Sequence, residues 1–406
     1  MQTKSLQFAA SRRKLTFPAV DDMVHFNLGS PRIGATYDVS GNGKTVVKFN
    51  YGKYWWNPGA DFLLNNVNPN SAVWWKRYAW TDLNKNGVYD PGEEVDSTGQ
   101  VRLIQTRGGP TETLDPNIQD TYTTEAAVWF ERELMNNFGV RTGFVWRGQR
   151  QRYDRVNVNQ PYEAFNVPVT IRDPGPDGIL GNSDDGPNIQ GFNLDAAHLS
   201  LPTLNVTKNV PNSDDDYYTW EITANKRYAN RWSLLATFSQ TKSYDNSGTY
   251  FGQRVRTNTL VLTPNDAINS DGGRYMFNAW TVKIHGTYEA PYAIRVTPIL
   301  RMQSGQPIGR VFVPAAASRF NYSTSVTVLA EPIGARQQDN IVIMDVRAEK
   351  IFSVSGRLKV SGIFDLFNAF NSNGEQNTSF NSGTSFLRPL NIIPPRIVRI
   401  GARLTF

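Results

Sequence analysis

Hydrophobic and polar residues alternate one by one along a series of segments in this chain. In the last segment, one face carries Val398, Ile400, Ala402, Leu404 and Phe406, and the other carries Arg399, Gly401, Arg403 and Thr405. The same alternation recurs in 280–289, 294–303 and 358–366. Because successive side chains of a strand point to opposite faces, the pattern predicts β-strands.

The connections between these segments alternate between short turns and long stretches. The short turns lie at 40–43, 135–137, 229–231, 290–292 and 354–356, and most contain Gly or Asn, which suit hairpins. The long stretches lie at 55–119, 154–212, 247–273, 307–339 and 371–390. This arrangement predicts about eleven antiparallel strands joined as successive hairpins, with helix signals nearly absent.

Two all-β architectures are compatible with such strands, a soluble sandwich and a membrane barrel. An outer-membrane barrel has short periplasmic turns, long extracellular loops and aromatic residues at both interfaces, whereas a sandwich requires no such alternation. Aromatic residues stand at strand ends here, namely Tyr54, Trp55, Trp56, Tyr217, Tyr218, Trp220, Tyr288 and Tyr292. The sequence therefore predicts an antiparallel up-and-down outer-membrane β-barrel. A soluble sandwich or propeller that binds glycans is the weaker alternative.

The composition argues against several other classes of protein. The 406 residues include no Cys and only three His, so a disulfide framework and a His-based metal or catalytic centre are not expected. No apolar run reaches the roughly 18–20 residues of a membrane helix. The formal charge of +6 is small for this length and indicates no nucleic-acid partner. Motifs of enzymes are absent from the sequence, and we expect no catalytic activity.

Three stretches of the sequence resemble a known family. They are the hairpin in 30–54, the segment Asp-Leu-Phe-Asn-Ala-Phe-Asn at 365–371, and the terminal strand 399–406, which ends in an aromatic residue. In these stretches the chain is similar to the C-terminal half of the barrel of TonB-dependent outer-membrane receptors. Within that family it most resembles the Oar-like branch. The resemblance extends from about residue 25 to residue 406.

The resemblance implies a barrel of about 22 strands around a plug domain. It also implies a location among the lipids of the bacterial outer membrane, folding by the barrel assembly machinery, TonB as energy-coupling partner, and uptake of a bulky nutrient. The chain supplies about half of those strands, and neither a signal peptide, a plug nor a coupling box is recognised in it. We therefore expect 1–29 to be a loop and lead-in remnant, and 30–406 to be an incomplete barrel that lacks its N-terminal half.

The terminal residue Phe406 is a candidate membrane-assembly signal. It follows a long predicted external loop and one strand, so it should end on the periplasmic side. Barrels of the family that the chain resembles end in an aromatic residue of this kind. The simpler interpretation is that Phe406 is only the last lipid-facing side chain of its strand, and both interpretations are compatible.

The first long loop contains a candidate calcium site. Residues 82–93 match the pattern D-x-[DN]-x-[DN]-G-x₅-E, in which oxygen ligands alternate around a Gly that permits a sharp turn. The candidate ligands are Asp82, Asn84, Asn86, the backbone carbonyl of Val88, Asp90 and Glu93. Helices that would make an EF-hand are not predicted on either side. An ordinary Asn- and Gly-rich surface loop without an ion is the alternative.

A second acidic loop is a weaker calcium candidate. Its possible ligands are Asp173, Asp177, Asp184 and Asp185, which lie among several Gly residues at irregular spacing. A solvated acidic loop is about equally compatible with this sequence. Calcium in either loop would reduce the entropy cost of ordering a long connection.

Other charged motifs have structural interpretations. The run 214–216 is three Asp residues at a strand start, and we expect a solvated acidic end there, with a third cation site as a weak alternative. Glu131 and Glu133 should pair with Arg141 or Arg147 across the sheet. The sequence Gly43-Lys44-Thr45 lacks the upstream Gly and the helix of a phosphate-binding loop, so it is a hairpin turn.

Two functions are compatible with these observations. The first is a part of a receptor that transports a bulky nutrient across the outer membrane. The alternative is a structural or adhesive surface protein whose calcium-stiffened loops bind partners without transport. The sequence names no ligand for either function.

Overall fold

The computed structural model of the chain describes residues 25–56, 75–101, 103–107, 112–250, 253–315, 319–356 and 358–406. Helices in these ranges are single turns: α1 (Ala196–Leu199) and the 3₁₀ turns Tyr162–Ala164, Pro264–Ala267 and Pro291–Ala293. None of the described residues belongs to a helix long and apolar enough to cross a membrane. The expected lead-in at 1–29 lies mostly outside the described residues, which begin at residue 25.

One antiparallel sheet of eleven strands dominates the structure. Its strands are β1 (Arg32–Asp38), β2 (Thr45–Trp55), β3 (Tyr122–Met135), β4 (Phe138–Arg150), β5 (Asp215–Ala229), β6 (Trp232–Asp245), β7 (Tyr275–Ala290), β8 (Ile294–Gln303), β9 (Ile341–Ser353), β10 (Lys359–Phe367) and β11 (Ile397–Thr405). Each strand pairs with the next in chain order, so the topology is up-and-down. The predicted number and direction of strands are confirmed.

The sheet is open, because β1 and β11 are its two edges and do not pair with each other. A single sheet of this size differs from the two facing sheets of a sandwich. Unpaired backbone groups at both edges are available for pairing with further strands.

The hairpin turns follow from local sequence. In the first of them, the Asp38 carboxylate accepts hydrogen bonds from the backbone N–H groups of Gly41 at 3.0 Å and Gly43 at 2.7 Å. Both glycines have positive φ angles, 68° and 73°. Asn137 and Asn230 take the same left-handed conformation in later turns. Short turns and long loops alternate along the sheet, as predicted.

The long loops contain short strands of their own. These are Trp75–Tyr78, Leu103–Arg107, Glu112–Leu114, Tyr153–Asn157, Val167–Ile171, Ile189–Asn193, Asn205–Asn209, Thr249–Tyr250, Gln253–Arg254, Pro307–Ile308, Val311–Phe312, Val328–Leu329, Arg336–Gln337, Glu375–Thr378 and Pro389–Ile392. Many form local hairpins, such as Val167–Ile171 with Ile189–Asn193. The loops are therefore ordered structures rather than extended connections.

The chain divides into two compact units. The larger unit, residues 28–57 and 119–406, contains the whole eleven-stranded sheet. The described parts of the smaller unit include the hairpin of Trp75–Tyr78 with Leu103–Arg107 and the loop between these two strands. The first candidate calcium loop belongs to this smaller unit.

The two faces of the sheet differ in chemistry. Apolar side chains face each other across neighbouring strands on one face, as with Val128 opposite Phe144 and Phe364 opposite Ile400. These side chains are exposed in the isolated chain, Ile400 to 81%. Contiguous apolar surface of this kind is typical of a surface that contacts lipid.

On the opposite face, Trp129 of β3 covers a glycine of β4. A Cβ atom added to Gly143 would lie 2.0 Å from the indole ring, so only Gly leaves room for it. The guanidinium of Arg141 stacks on the Trp129 ring, 3.7 Å from its centre. An aromatic ring that fills the space over a glycine in the next strand fixes the register of the pair.

Candidate functional site

The charged face of the C-terminal strands carries a network of ion pairs. We use the name charged face for Glu289, Arg295, Arg301, Asp345, Arg347, Glu349, Asp365, Arg399 and Arg403 of β7–β11. Asp365 accepts from Arg347 at 2.6 Å and from Arg399 at 2.7 Å. Glu349 lies within 3.5 Å of Arg403 and 3.9 Å of Arg295. Asp365 thus pairs with arginines of both neighbouring strands, and Glu349 with arginines of β8 and β11.

This face is polar and half-hydrated rather than a packed core. Several of its arginines are more than half exposed, including Arg399 at 59% and Arg403 at 54% of their side-chain area. Their carboxylate partners are covered, Asp365 at 5% and Glu349 at 6%, so each pair has one hydrated and one shielded member. The arrangement gives a wet surface on which positive and negative groups alternate.

The expected partner of Glu131 was wrong. Glu131 lies opposite Arg141 in the register of β3 and β4, yet its ion pair is with Lys48 of β2, at 2.8 Å. Arg141 is engaged by the ring of Trp129. Arg147 pairs with Glu125 at 3.6 Å. The ring contact therefore redirects a pairing that the sequence spacing favoured.

The expectation of a solvated acidic end at the start of β5 was also wrong for two of its three residues, whereas the Asp214 side chain is 46% exposed. Asp215 and Asp216 are buried, and each pairs with an arginine at 2.7 Å: Asp215 with Arg152 and Asp216 with Arg150. Asp215 also accepts from the backbone N–H of Asn246 at 2.7 Å. Buried charges of this kind must be paired, and here they join the ends of β4 and β5 to the connections 151–214 and 246–274.

Apolar clusters hold the long loops of the larger unit together. The first cluster contains Val255, Tyr275, Ile308, Val311, Leu329, Ile333 and Phe380. The second contains Ile171, Ile189, Phe312, Phe320, Val326, Val328 and Ala330, and the third contains Ala164, Phe165 and Leu194. We call these the loop clusters. They combine residues from four connections, so these loops form a packed layer.

Several polar groups inside this layer have specific partners. Tyr322 packs against Phe165 and accepts a hydrogen bond from the side-chain amide of Asn265 at 2.9 Å. Burial raises the pKa of Tyr322 to about 12. The phenol therefore stays neutral at all physiological pH values, which suits its buried position.

Two buried arginines anchor the layer. Arg310 and Asp173 form a bidentate pair at 2.7 and 2.6 Å, and the Asp173 side chain is 0% exposed. Arg256 is 2% exposed and donates to the carbonyl oxygens of Gly273 at 2.8 Å and Asn246 at 2.7 Å. These side chains replace water as partners for buried backbone oxygens.

In the first candidate calcium loop, the carboxylates of Asp82 and Asp90 accept hydrogen bonds from other residues of the loop. The Asp82 carboxylate accepts from the backbone N–H groups of Asn86 at 3.2 Å and Gly87 at 2.8 Å, and Gly87 has a φ of 74°. The side-chain amides of Asn84 and Asn86 both donate to Asp90, at 2.6 and 2.7 Å. Val88 is exposed. Hydrogen bonds therefore already link all six predicted ligands, since the Val88 N–H donates to Asn86 and the Asp90 N–H donates to Glu93.

Glu93, the last predicted ligand, is buried at 4% exposure. It accepts hydrogen bonds from the Trp80 indole at 3.0 Å and from the backbone N–H of Leu83 at 2.9 Å. The bond from Trp80 is the main reason that the pKa of Glu93 is lowered, and a bond from the Asp90 N–H adds to it. Glu93 thus stays ionised to lower pH than a free glutamate and closes the loop.

The predicted ligands of the second candidate calcium loop have different partners in the fold. Asp173 is engaged by Arg310, whereas Asp177 donates its backbone N–H to Asp184 at 3.3 Å. Asp185 accepts from the backbone N–H of Gly181 at 2.8 Å. In the described part of the chain, no three Asp, Glu or His side chains are grouped closely enough to hold a metal as they stand.

Phe406 lies at the end of the sheet that carries the short turns. Thr405, which precedes it, pairs with Lys359 beside the turn between β9 and β10. The phenyl ring is 93% exposed. The terminus therefore lies at the short-turn end of the sheet, and the ring contacts almost nothing within the chain.

The fold and the chemistry of its faces together define a class of protein. An up-and-down sheet with one apolar face, one ion-paired face, short turns at one end and folded loops at the other is the wall of an outer-membrane barrel. Residues 22–308 match the family described as outer membrane beta barrel domain. The chain belongs to this family, and its location is the bacterial outer membrane.

Similar folds occur among solved outer-membrane proteins. The outer membrane transporter YddB from Escherichia coli is 13% identical, with 93% of this chain and 40% of that chain covered and a TM-score of 0.45. The ferripyoverdine receptor of Pseudomonas aeruginosa is 12% identical, with 93% and 33% covered and a TM-score of 0.45. The FrpB iron transporter from Neisseria meningitidis is 12% identical, with 93% and 38% covered and a TM-score of 0.41. The chain thus spans well under half of each. No curated protein matches the sequence.

Proposed function

We propose that the chain forms part of the wall of a TonB-dependent receptor that moves a bulky nutrient inward across the outer membrane. The observation that carries the proposal is the charged face opposite an apolar face. Alternating arginines and carboxylates, half-hydrated and paired across five strands, suit the wet interior of a wide barrel. The stretches that resemble TonB-dependent receptors support the same assignment, including its Oar-like branch. A transport role of this kind requires no catalytic residues in the wall.

The proposal includes partners for the exposed surfaces. We propose that strands of an N-terminal half-barrel pair with the free edges β1 and β11, because unpaired edges of this length are otherwise prone to association. A plug domain would contact the charged face, whose arginines can form charge-assisted hydrogen bonds with it. TonB would supply the energy, and lipid would cover the apolar face.

Dependence on TonB is the test of the transport assignment. The complete gene product, expressed in its host, should associate with the periplasmic domain of TonB in a pull-down from solubilised outer membranes. The host should lose a growth advantage on complex nutrients when either the gene or TonB is removed, with no further loss when both are removed. A full growth advantage without TonB would contradict the proposal.

The packed outer loops favour a second candidate function. A layer held by three apolar clusters and two buried arginines offers a stable surface for adhesion or structure without transport. Cells that carry the protein would then attach to a matrix in a calcium-dependent manner, and removal of TonB would change nothing. The same pair of strains therefore separates the two functions.

We also propose that the loop at 82–93 binds Ca²⁺. Its donor set is chemically suitable, with carboxylates of Asp82, Asp90 and Glu93 and a turn that already forms around Gly87. Binding would require the amides of Asn84 and Asn86 to present oxygen rather than nitrogen. The acidic loop at 173–185 is the weaker proposal, because Asp173 is committed to Arg310.

Calorimetric titration of a peptide spanning residues 78–98 tests the first calcium loop. We expect saturable heat at millimolar or lower Ca²⁺, because extracellular calcium modules of this type bind in that range. The matched control is the same peptide with Asp82→Ala and Glu93→Gln, which should give no heat. Absence of heat from the unchanged peptide at millimolar Ca²⁺ would remove the proposal.

Deletion of Phe406 tests its role as an assembly signal. We propose that the barrel assembly machinery binds this exposed terminal ring, so that deletion reduces the folded fraction of the complete protein in the outer membrane. The folded fraction is measured from the mobility of unheated samples on gels. The control Phe406→Tyr keeps an aromatic terminus and should insert normally. Equal insertion of the deleted and the unchanged protein would leave Phe406 as a lipid-facing side chain only.

A further inference from the structure

A polar cavity lies between three of the long loops in the larger unit. Its volume is about 590 Å³, which is within the range of small-molecule sites. The connections 246–274, 304–340 and 368–396 each contribute to its lining, which includes Arg254, Thr327, Ser379, Ser385, Arg388 and Leu390. It is therefore formed only when the loops pack against one another.

The cavity carries two arginines that have no acidic partner among the described residues. Arg254 and Arg388 are exposed, and neither guanidinium has an ion-pair or hydrogen-bond partner among the residues that the structure describes. The lining residues include neither Asp nor Glu. Arg256 and Arg310, in the same layer, are by contrast buried and donate hydrogen bonds to structural partners. Two free arginines at one cavity favour an anion.

Hydrogen bonds in the loops hold the backbone segments that carry the two arginines. Gln253, next to Arg254, accepts from the backbone N–H of Phe380 at 2.9 Å, and the Phe380 side chain is 0% exposed in the first loop cluster. The backbone N–H of Ser379 donates to the carbonyl of Arg388 at 3.0 Å. The strand of Arg254 and the segment of Arg388 are thus tied to the same short stretch, 378–380, which limits the reorganisation needed for binding.

We propose that this cavity binds a small organic molecule through an oxyanion group, a carboxylate or a phosphate. The planar guanidinium of an arginine matches both groups with two parallel hydrogen bonds. The hydroxyl groups of Thr327, Ser379 and Ser385 supply further donors, and Leu390 offers apolar surface to the carbon skeleton. The proposal rests on the proposed function in one respect, since the loop layer then faces the medium from which a ligand arrives.

Equilibrium binding to the full chain in outer-membrane vesicles tests the site, with no energy source present. The probes are radiolabelled citrate, glucose 6-phosphate and, as a neutral control, glucose. We expect at least one anion to bind saturably and glucose not to bind. Arg254→Gln and Arg388→Gln should each weaken binding on the order of tenfold or more, because each removes a charged hydrogen-bond donor. Arg396→Gln removes an exposed arginine of the same connection that does not line the cavity, and should change nothing.

The outcomes separate the ligand chemistries and the proposals. Binding of citrate alone identifies a carboxylate site, and binding of glucose 6-phosphate alone identifies a phosphate site. If neither anion binds better than glucose, or if both arginine variants bind like the unchanged protein, the inference is overturned. Because the assay needs neither TonB nor a plug, failure of the transport assignment would not affect it, and a negative result here would not affect the TonB test.

Discussion

Arg310→Met destabilises the packed outer loops by about 3–5 kcal/mol, because it leaves a buried carboxylate without its partner. The Asp173 side chain is 0% exposed and both of its oxygens accept from Arg310, so no water can replace the lost guanidinium. The carbonyl of Gly175 and the hydroxyl of Ser382 lose the same donor. The measurement is the free energy of opening of loop amides, obtained from hydrogen exchange of the protein in membranes.

Two further variants show whether burial of the ion pair causes the destabilisation by Arg310→Met. Arg336→Met breaks an exposed pair with Glu331, 2.8 Å long, and should cost less than about 1 kcal/mol. Combining Arg310→Met with Asp173→Leu removes both charges and should restore most of the lost stability, because an apolar pair can replace a buried ion pair. A double variant as unstable as Arg310→Met alone would refute this explanation.

The second large effect is expected for Arg256→Met, which should cost about 3–4 kcal/mol because several buried oxygens lose their donor together. Arg256 donates to Gly273, to both oxygens of Asn246 and to Thr259, all at 2.7–2.9 Å. The same hydrogen-exchange measurement applies, on amides of the connection 246–274.

Variants at and near Arg256 define the contribution of its hydrogen bonds. Arg256→Lys retains up to three donors on a shorter, differently shaped group and should cost less than Arg256→Met. Arg254→Met, two residues away and exposed, should leave the loop amides unchanged. Equal destabilisation by Arg254→Met and Arg256→Met would show that the buried hydrogen bonds are not the reason.

Local sequence determined most of the wall of the barrel. Strand positions follow from a period of two, and the turns follow from residues such as Gly41 and Asn137 that accept positive φ angles. Both signals depend on neighbours within a few residues. The eleven strands, their antiparallel order and the alternation of short and long connections were predicted for this reason.

The interior of the loop layer could not be predicted from the same signals. Its arginine–carboxylate pair joins residues 137 positions apart, and the sequence shows only an arginine and an aspartate in polar surroundings. Asp215 and Asp216 looked solvated for the same reason, since their partners Arg150 and Arg152 come from the preceding strand and loop. Glu131 pairs with Lys48, whereas Arg141 stacks on the Trp129 ring. These outcomes depend on tertiary contacts, which override spacing along one hairpin.

The candidate site shows the same difference between features set by local sequence and features set by tertiary contacts. The candidate calcium loop and Phe406 could be proposed from the sequence because a short motif or a terminal position marks each of them. The cavity with Arg254 and Arg388 was missed, because its lining residues come from three connections and form no motif. A search for arginines without an acidic neighbour in sequence would have named both, but also Arg396, which does not line it.

The loop clusters also constrain the order in which the molecule assembles. The second cluster joins Ile171 and Ile189 to residues 312–330, across the two wall hairpins β5–β6 and β7–β8, so its formation requires the ends of distant strands to be close already. Closing such long loops before the strands pair carries a large entropy cost. We therefore expect the loop layer to form late, after the strands have paired. Pulse-labelling exchange during refolding should record protection of the strand amides before that of Val328.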